Sequence, residues 1–220
     1  MNKSGLIQAV LFDLDGTFAD TAPDLAAALN HVRSLYDLPS LPLETLRPQA
    51  SHGSAGLLKV GFGTEPDAPN FTTLRDVFLD HYTSHICDHT GLFPGMAELI
   101  DEIEQRDLPW GIVTNKPHRF TVPLMEALGY ANRAACLISG DTCVRAKPYP
   151  DPLFRASEIM GMNPQNCIYL GDDLRDIEAG RGAGMSSIIA TYGYIDERAD
   201  LNSWHADGRI GNPLELLNYI

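Results

Sequence analysis

The amino-acid sequence predicts an α/β protein: a doubly wound, parallel, Rossmann-like sheet with a small all-helical cap domain inserted after the first strand. Short apolar runs alternate with helical patterns over most of the chain, which is typical of a parallel sheet covered by helices. One long interval breaks this alternation and contains helical patterns only. The chain has 220 residues, of which 44% are hydrophobic, and this is enough to bury a core of that size.

Five apolar runs, each bounded by turn or charged residues, predict the buried strands of the sheet. They are residues 7–12, 110–113, 136–139, 167–170 and 186–190. Helical patterns before or after these strands predict helices at 95–106, 117–128, 151–160 and 174–181. Strands that alternate with helices favour a parallel sheet with helices on its faces.

The interval from Pro23 to His89 predicts four helices and no strand. These helices are residues 24–36, 43–49, 54–60 and 71–86. Five prolines punctuate the interval, and L-F-P-G (92–95) marks the return to the sheet. We therefore predict a Rossmann-like core formed by residues 1–20 and 90–220, and a helical cap domain formed by residues 21–89.

Charge and composition limit the partners of the chain. Sixteen basic and 29 acidic residues give a formal net charge of -13, which repels nucleic acid and anionic membrane surfaces. No apolar run approaches the ~20 residues that a membrane-spanning helix needs. The four cysteines form no C-x-x-C pair and predict free thiols. We expect a cytoplasmic monomer or weak homodimer, with no nucleic-acid or membrane partner and a soluble small molecule as its ligand.

Acidic and polar motifs follow four of the predicted strands. They are D-L-D-G-T (13–17), T-N-K-P (114–117), G-D (140–141) and G-D-D-L-R-D (171–176). Ligands of open α/β sheets bind beyond the carboxyl ends of the strands, so we expect these motifs to share one edge of the sheet and one site.

Five aspartates of these motifs cannot gather as anions without a cation, because two charges 4 Å apart repel by ~4 kcal/mol at an effective dielectric constant of 20. They are Asp13, Asp15, Asp172, Asp173 and Asp176. A cluster of carboxylates without histidine or cysteine is typical of a magnesium site. The sequence therefore predicts Mg²⁺ as a cofactor.

The order of these motifs resembles the four signatures of the haloacid dehalogenase superfamily. D-L-D-G-T follows an apolar strand, T-N follows a second, Lys147 precedes the fourth, and G-D-D-L-R-D follows it. An isolated D-x-D-G-T could be an ordinary strand exit, whereas four signatures in order span nearly the whole chain. The resemblance implies a phosphatase that acts on a small phosphorylated metabolite.

The resemblance also implies roles for the strand-end residues. Asp13 would attack phosphorus and become phosphorylated. Asp15 would protonate the leaving alcohol and then deprotonate the attacking water, which suits a carboxyl group that changes protonation state during turnover. The dehalogenases of the superfamily usually lack this second aspartate, so its presence favours a phosphatase.

Other residues of the motifs would bind the phosphoryl group and the metal. Thr114 and Asn115 would donate hydrogen bonds to phosphoryl oxygens, Lys147 would neutralise charge, and Gly16 would let the backbone approach the phosphate. The metal ligands implied are Asp13, Asp172 and, through its backbone carbonyl, Asp15. Asp173 and Asp176 would support these groups; for Asp173 simple solvation is an equal alternative.

The helical interval resembles the cap of the phosphoglycolate phosphatase branch. Within that branch, L-F-P-G-M, W-G-I-V-T-N-K-P, G-D-D-L-R-D-I-E and Y-G-Y-I are similar to runs in the N-acetylmuramic acid 6-phosphate phosphatases of bacterial cell-wall recycling. Phe18-Ala19 and C-V-R-A (143–146) depart from the branch pattern and leave the cap contacts, and hence the leaving group, open.

Candidates for substrate selection in the cap are Asp20, Arg47, His52 and Gly53. Surface-loop chemistry is the alternative for Arg47 and for S-H-G (51–53). His81, His85 and His89 recur at four-residue spacing, which permits a metal site but favours a polar stripe on a cap helix.

Two rival functions fit parts of the pattern. A signalling receiver domain also binds magnesium and is phosphorylated on aspartate, but receivers are shorter and lack both the helical insertion and a counterpart of Asp15. A phosphosugar mutase of the β-phosphoglucomutase type shares the signatures and the cap. A requirement for a bisphosphate would separate the mutase from the phosphatase.

Overall fold

The computed structural model of the protein describes residues 7–196 and 198–220. Its main sheet has six parallel strands in the order β5-β4-β1-β6-β7-β8. They are β1 (Ala9–Phe12), β4 (Trp110–Val113), β5 (Cys136–Ile138), β6 (Cys167–Gly171), β7 (Ser186–Ala190) and β8 (Gly208–Ile210). Two further strands, β2 (Ala19–Asp20) and β3 (Gly91–Leu92), pair antiparallel in a separate small sheet. The predicted parallel α/β fold is confirmed.

The strands that the sequence analysis did not predict are very short. β2 and β3 have two residues each, and only Ile210 of the three in β8 is buried. An apolar run of this length gives no periodic signal. The strand predicted at residues 7–12 is shorter in the structure: β1 begins at Ala9, so Ile7 and Gln8 lie outside it.

Eight α-helices surround the strands in the described part of the chain. They are α1 (Ala22–Ser34), α2 (Leu43–Leu46), α3 (Gly53–Phe62), α4 (Phe71–Ser84), α5 (Met96–Gln105), α6 (His118–Ala127), α7 (Asp151–Met160) and α8 (Leu174–Ala183). The helix predicted at 43–49 is an α-helix only to Leu46 and continues as a 3-10 helix, Arg47–His52. Pro48 lies at its start, where a missing backbone N–H is tolerated. None of the described helices is both long and apolar enough to cross a bilayer.

Strand β1 lies in the middle of the sheet and is buried along its whole length. Val10 and Phe12 pack on one face of the sheet, whereas Ala9 and Leu11 pack on the other. Phe12 pairs with Ile112 of β4 and with Leu170 of β6. The residues that follow these three therefore leave the sheet at one level, and the strand-end motifs meet there.

Helices α1 to α4 and the segments between them form the helical insertion, residues 22–84. Its apolar side chains make a cluster of their own, which includes Leu29, Leu57 and Phe78. Phe120 of α6 also belongs to this cluster, so the insertion packs against the sheet domain near the end of β4. The division into a core and a cap at residues 20/21 and 89/90 stays a prediction.

Asp24 ties the first turn of the insertion to the segment that leads back to the sheet. Its buried carboxylate accepts hydrogen bonds from the backbone N–H groups of His89 and Thr90, at 2.8 to 3.1 Å, and from Thr90 Oγ1 at 2.7 Å. Hydrogen bonds to a charged group stabilise by about 1.5–3 kcal/mol each. The two segments that connect the sheet domain to the helical insertion are thus held together.

Candidate active site

Three aspartates meet where β1 and β6 end. Asp13, Asp172 and Asp176 are buried, and one carboxylate oxygen of each lies within 4.8 Å of the others. We call these residues the acidic triad. Asp13 donates its backbone N–H to Leu170 O at 2.9 Å, which holds the end of β1 against β6.

Burial in this cluster shifts the acidity of its members. Desolvation raises the pKa of Asp13 to about 6, although the Lys147 ammonium opposes the shift. Desolvation, followed by repulsion from Asp13 and Asp176, raises the pKa of Asp172 well above its usual value. A cation bound to the triad would relieve both effects.

Uncharged donors alone contact Asp172 within the described residues. Its carboxylate accepts hydrogen bonds from Tyr194 N at 2.8 Å, Thr17 Oγ1 at 3.0 Å and Ser51 Oγ at 3.3 Å. No ion pair within 4 Å reaches it from the described lysines, arginines and histidines. Asp172 is thus a carboxylate that lies beside two other carboxylates and, in the described part of the chain, has no cation of its own. Such an arrangement is suited to bind a hard divalent metal ion, which prefers oxygen ligands.

Gly16 makes room for this cluster. Its φ of +88° lies in the region that side chains disfavour, and a Cβ at this position would collide with the Asp172 carboxylate. The turn after β1 can therefore fold closely around Asp172 only with glycine there.

Lys147 is the positively charged side chain that pairs with two members of the acidic triad. Its buried Nζ lies 2.8 Å from Asp13 Oδ1 and 2.7 Å from Asp176 Oδ1. It also contacts Tyr169 Oη at 2.8 Å and Val113 O at 3.0 Å, so its donors are fully used. Burial by itself would lower the pKa of Lys147, but attraction to the two carboxylates outweighs it and the pKa is raised.

Asn115 holds the backbone of Lys147. Its Nδ2 donates to Lys147 O at 2.9 Å, and its Oδ1 accepts from Lys147 N at 3.0 Å. The sequence analysis expected the Asn115 side chain to bind a phosphoryl group, but here the amide is engaged by the loop that carries the lysine. Thr114 is buried at the end of β4, and its hydroxyl accepts from Lys116 N at 3.2 Å.

Asp15 lies apart from the triad and has its own partners. Lys116 Nζ contacts Asp15 Oδ1 at 2.9 Å, and Thr21 Oγ1 donates to the same oxygen at 2.6 Å. Lys116 is buried, and its Nζ lies 4.7 Å from the ring centroid of Tyr82 on α4. Burial alone would lower the pKa of Lys116, but Asp15 and Tyr82 outweigh it and the pKa is raised.

The sequence analysis did not single out Lys116, which the structure places in the cavity beside Asp15. Its signal was present in T-N-K-P, where it directly follows Asn115 at the end of a predicted strand. A single lysine in that position is usually a solvated side chain, and only the fold brings it to Asp15, 101 residues away in the chain.

Asp173 supports the start of α8. Its side chain accepts from Arg175 N at 2.9 Å, and Asp176 Oδ2 accepts from Asp173 N at 3.0 Å, which together form a capping box. Arg175 pairs with Asp173 at 2.7 Å and also donates to Ser51 O at 2.9 Å. This arginine thus connects the sheet domain to the helical insertion.

A cavity of about 390 Å³ opens between the strand ends and the helical insertion. Asp13, Asp15, Thr114 and Lys147 line its floor. Apolar side chains form much of its wall: Leu25, Ala55, Phe71, Phe78, Leu79, Tyr82 and Phe120. The cavity therefore combines a charged, polar floor with an apolar wall, which suits a small amphipathic ligand.

The four residues expected to select the substrate separate into two pairs. His52 and Gly53 line the cavity. Asp20 and Arg47 lie elsewhere, paired at 2.7 Å beside Tyr194, whose Oη contacts Asp20 at 2.9 Å. The structure thus joins Arg47 to Asp20 and not to the cavity.

The histidines at four-residue spacing do not share one site. His81 stacks between His31 and His85, with ring centroids 4.2 Å apart on each side. His89 is held separately by Asp24. The metal-competent group found among the described residues is the acidic triad, and it contains no histidine.

A parallel sheet with an acidic cluster and a lysine at its central strand ends, beneath a helical insertion, defines a hydrolase of the haloacid dehalogenase type. The family model described as Haloacid dehalogenase-like hydrolase matches residues 10–190, and the chain belongs to this family.

Curated relatives narrow the class. The N-acetylmuramic acid 6-phosphate phosphatase of Pseudomonas putida is 42% identical over 97% of this chain and 96% of its own. The phosphoglycolate phosphatase of Xanthomonas campestris pv. campestris is 42% identical over 95% and 94%. The chain is a phosphoric monoester hydrolase similar to these two kinds of phosphatase.

Two solved structures have the same fold as this chain. The haloacid dehalogenase-like family hydrolase from Streptococcus pneumoniae superposes with a TM-score of 0.79 at 23% identity, and the match covers 100% of this chain and 99% of that one. CbbY from Rhodobacter sphaeroides, in complex with phosphate, gives 0.75 at 22% identity over 96% of each chain.

The sequence analysis expects Asp15 to act as the acid-base group, and on that expectation Lys116→Met should lower the kcat for p-nitrophenyl phosphate by at least about tenfold, because Asp15 loses the ammonium that holds it in place. The matched control is Lys59→Met, which removes an exposed lysine paired with Glu65. Steady-state kinetics at saturating magnesium check this expectation. Equal rates for the two variants would show that Lys116 does not act through Asp15.

Proposed function

We propose that the chain hydrolyses N-acetylmuramic acid 6-phosphate through an aspartyl-phosphate intermediate on Asp13, with Mg²⁺ as cofactor. The observation that carries this proposal is the buried contact of Asp13 with Lys147 at the floor of a cavity with an apolar wall. The second candidate substrate is 2-phosphoglycolate, because a phosphoglycolate phosphatase is equally similar to this chain.

In the first half of the reaction, a carboxylate oxygen of Asp13 forms a bond to phosphorus and the ester P–O bond breaks. Asp15 in its protonated form gives its proton to the leaving oxygen, so the alcohol departs neutral and Asp15 becomes the carboxylate that pairs with Lys116. Asp15 suits this task because it lies two residues from the nucleophile and lines the same cavity. Lys147 stays paired with Asp13 Oδ1 and keeps that carboxylate oriented.

In the second half, the Asp15 carboxylate takes a proton from water and the resulting hydroxide attacks phosphorus. The bond between phosphorus and the Asp13 oxygen breaks, inorganic phosphate is released, and both aspartates return to their initial state. The helical insertion forms one wall of the cavity, and its closure over a bound substrate would limit the entry of bulk water.

The phosphoryl oxygens would be bound by groups at the strand ends. The Thr114 hydroxyl offers a donor on the floor, whereas the Lys147 ammonium, whose N–H groups are already engaged, contributes its positive charge. At Gly16 no side chain would block an approach of phosphate to the backbone. Asn115 acts through Lys147, because its amide is engaged on both sides by the backbone of that lysine.

The residues that would hold Mg²⁺ are Asp13, Asp172 and the backbone carbonyl of Asp15. When bound, this ion would stabilise negative charge on the transferring phosphoryl group. Asp176 belongs to the triad, but its Oδ1 contacts Lys147 and its Oδ2 accepts from Asp173 N. We therefore assign Asp176 a supporting role.

The size of the cavity favours the larger substrate. A pocket usually buries most of the surface of the small molecule that it binds, and a larger molecule makes more contacts with its walls. A two-carbon acid such as phosphoglycolate would leave much of the 390 Å³ to water. An N-acetylated sugar with a lactyl ether would contact that wall.

Asp13→Asn should reduce phosphatase activity by at least about 10³-fold, because the amide is a poor nucleophile toward phosphorus. Asp141→Asn is the matched control, since Asp141 is an exposed strand-end aspartate that binds His118 N. Turnover of p-nitrophenyl phosphate, with circular dichroism to verify folding, measures the effect. Full activity in a folded Asp13→Asn protein would exclude Asp13 as the nucleophile.

Chelation with excess EDTA should abolish activity, and added Mg²⁺ should restore it. Asp172→Asn should raise the Mg²⁺ concentration needed for half-maximal rate by about 10- to 100-fold, because one anionic ligand is lost. Titration of Mg²⁺ against rate for the unmodified protein, Asp172→Asn and the control Asp141→Asn measures this shift. Undiminished rates in EDTA would contradict the metal assignment.

The substrate proposal is tested by phosphate release from N-acetylmuramic acid 6-phosphate, 2-phosphoglycolate, hexose phosphates and a hexose bisphosphate at equal concentrations. We expect the highest kcat/KM for N-acetylmuramic acid 6-phosphate. Preference for phosphoglycolate would support the second candidate. Phosphate transfer that requires the bisphosphate would support a mutase and overturn the proposal.

A further inference from the structure

We propose that Arg75 selects substrates that carry a carboxylate, by pairing its guanidinium with that group on the α4 wall of the cavity. This inference rests on the proposed function, since it concerns the non-reacting part of the same substrate. Arg75 lines the cavity and was not among the residues expected from the sequence to select the substrate.

Arg75 interrupts an otherwise apolar face of α4. Phe71, Arg75, Phe78 and Tyr82 follow one another at spacings of four, three and four residues, so they lie on one side of the helix. All four line the cavity, and the three aromatic residues are buried. Arg75 is therefore the charged and exposed member of a row of cavity-lining side chains that is otherwise aromatic.

The other cations of the cavity are already paired. Lys147 contacts Asp13 at 2.8 Å, Lys116 contacts Asp15 at 2.9 Å, and Arg175 contacts Asp173 at 2.7 Å. Among the described residues, Arg75 has no hydrogen-bond, ion-pair or ring partner, and it is exposed to solvent. It is therefore the lining cation that remains available to a ligand.

A ligand that fills the cavity would remove water from this guanidinium. Desolvating an unpaired charge is costly, so a substrate with an anionic group at this point is favoured over a neutral one. The planar fork of arginine matches the two oxygens of a carboxylate. The phosphoryl group of the substrate is bound at the strand ends, so the anion at Arg75 is a second group, and both candidate substrates carry a carboxylate.

A matched pair of sugar phosphates tests this role. N-acetylmuramic acid 6-phosphate and N-acetylglucosamine 6-phosphate differ only by the lactyl ether that bears the carboxylate. In Arg75→Met we expect kcat/KM for the acid to fall by about 10- to 100-fold, as expected for a lost charge-assisted hydrogen bond. Most of the change should appear in KM, and kcat/KM for the sugar phosphate without the carboxylate should change less than about twofold.

Two further variants separate charge from geometry. Arg75→Lys should recover part of the preference for the acid, because it retains the charge and loses the fork. Arg181→Met removes an exposed arginine on α8 that does not line the cavity, and it should leave both substrates unaffected. Thermal unfolding of each variant verifies that the fold is retained, which is expected at exposed positions.

The outcomes distinguish this inference from the proposed function. An equal loss on both sugar phosphates, or an acid preference that survives in Arg75→Met, overturns the role of Arg75 and leaves the proposed function intact. An unmodified protein that hydrolyses p-nitrophenyl phosphate but neither N-acetylmuramic acid 6-phosphate nor 2-phosphoglycolate overturns both. A preference for a bisphosphate that is lost in Arg75→Met assigns Arg75 to a phosphoryl group and overturns the carboxylate assignment.

Discussion

The contact of the Lys147 ammonium with Asp13 and Asp176 is the interaction on which the rest of the site depends. Two buried carboxylates at the end of β1 and the start of α8 repel each other, and the lysine lies between them at 2.8 and 2.7 Å. Breaking such a buried group by removing one charge costs about 3–5 kcal/mol. The Asn115 clamp on the Lys147 backbone, and the placement of β1 between β4 and β6, both serve to hold this arrangement.

Other aspartates around the acidic triad are also paired with cations. Asp15 has Lys116, and Asp173 has Arg175, so each of these carboxylates lies beside its own cation. Asp172 differs, because its partners are a backbone N–H and two hydroxyl groups. A chain with a net charge of -13 thus keeps a row of aspartates at one edge of its sheet, with one position suited to a metal ion.

The helical insertion contributes most of the apolar wall of the cavity. Its side chains are mostly apolar, and it reaches the floor through Lys116 beneath the Tyr82 ring and through Arg175 at Ser51. In the proposed reaction, binding energy gained against this wall would orient the phosphate over Asp13. The groups proposed to react and the groups proposed to select the substrate are therefore carried by different parts of the chain, joined by a few polar contacts.

The sequence by itself determined the parallel α/β fold, the helical insertion and the family. Each of these depends on local patterns: apolar runs with a strand or helix period, and motifs whose residues are close together in the chain. The extra strands β2, β3 and β8 carry too few residues for such a pattern. The proposed roles of Asp13, Asp15 and Lys147 follow from the order of the motifs.

Only the tertiary structure decided how the predicted residues divide among sites. It turned Asp15 toward Lys116 and away from the acidic triad, engaged Asn115 with Lys147, and paired Arg47 with Asp20 outside the cavity. It also brought Arg75 to the cavity wall. The two residues of each of these pairs are between 27 and 101 positions apart in the sequence. Which side chains meet over such separations depends on how whole helices pack on the sheet, and local sequence patterns carry no information about that packing.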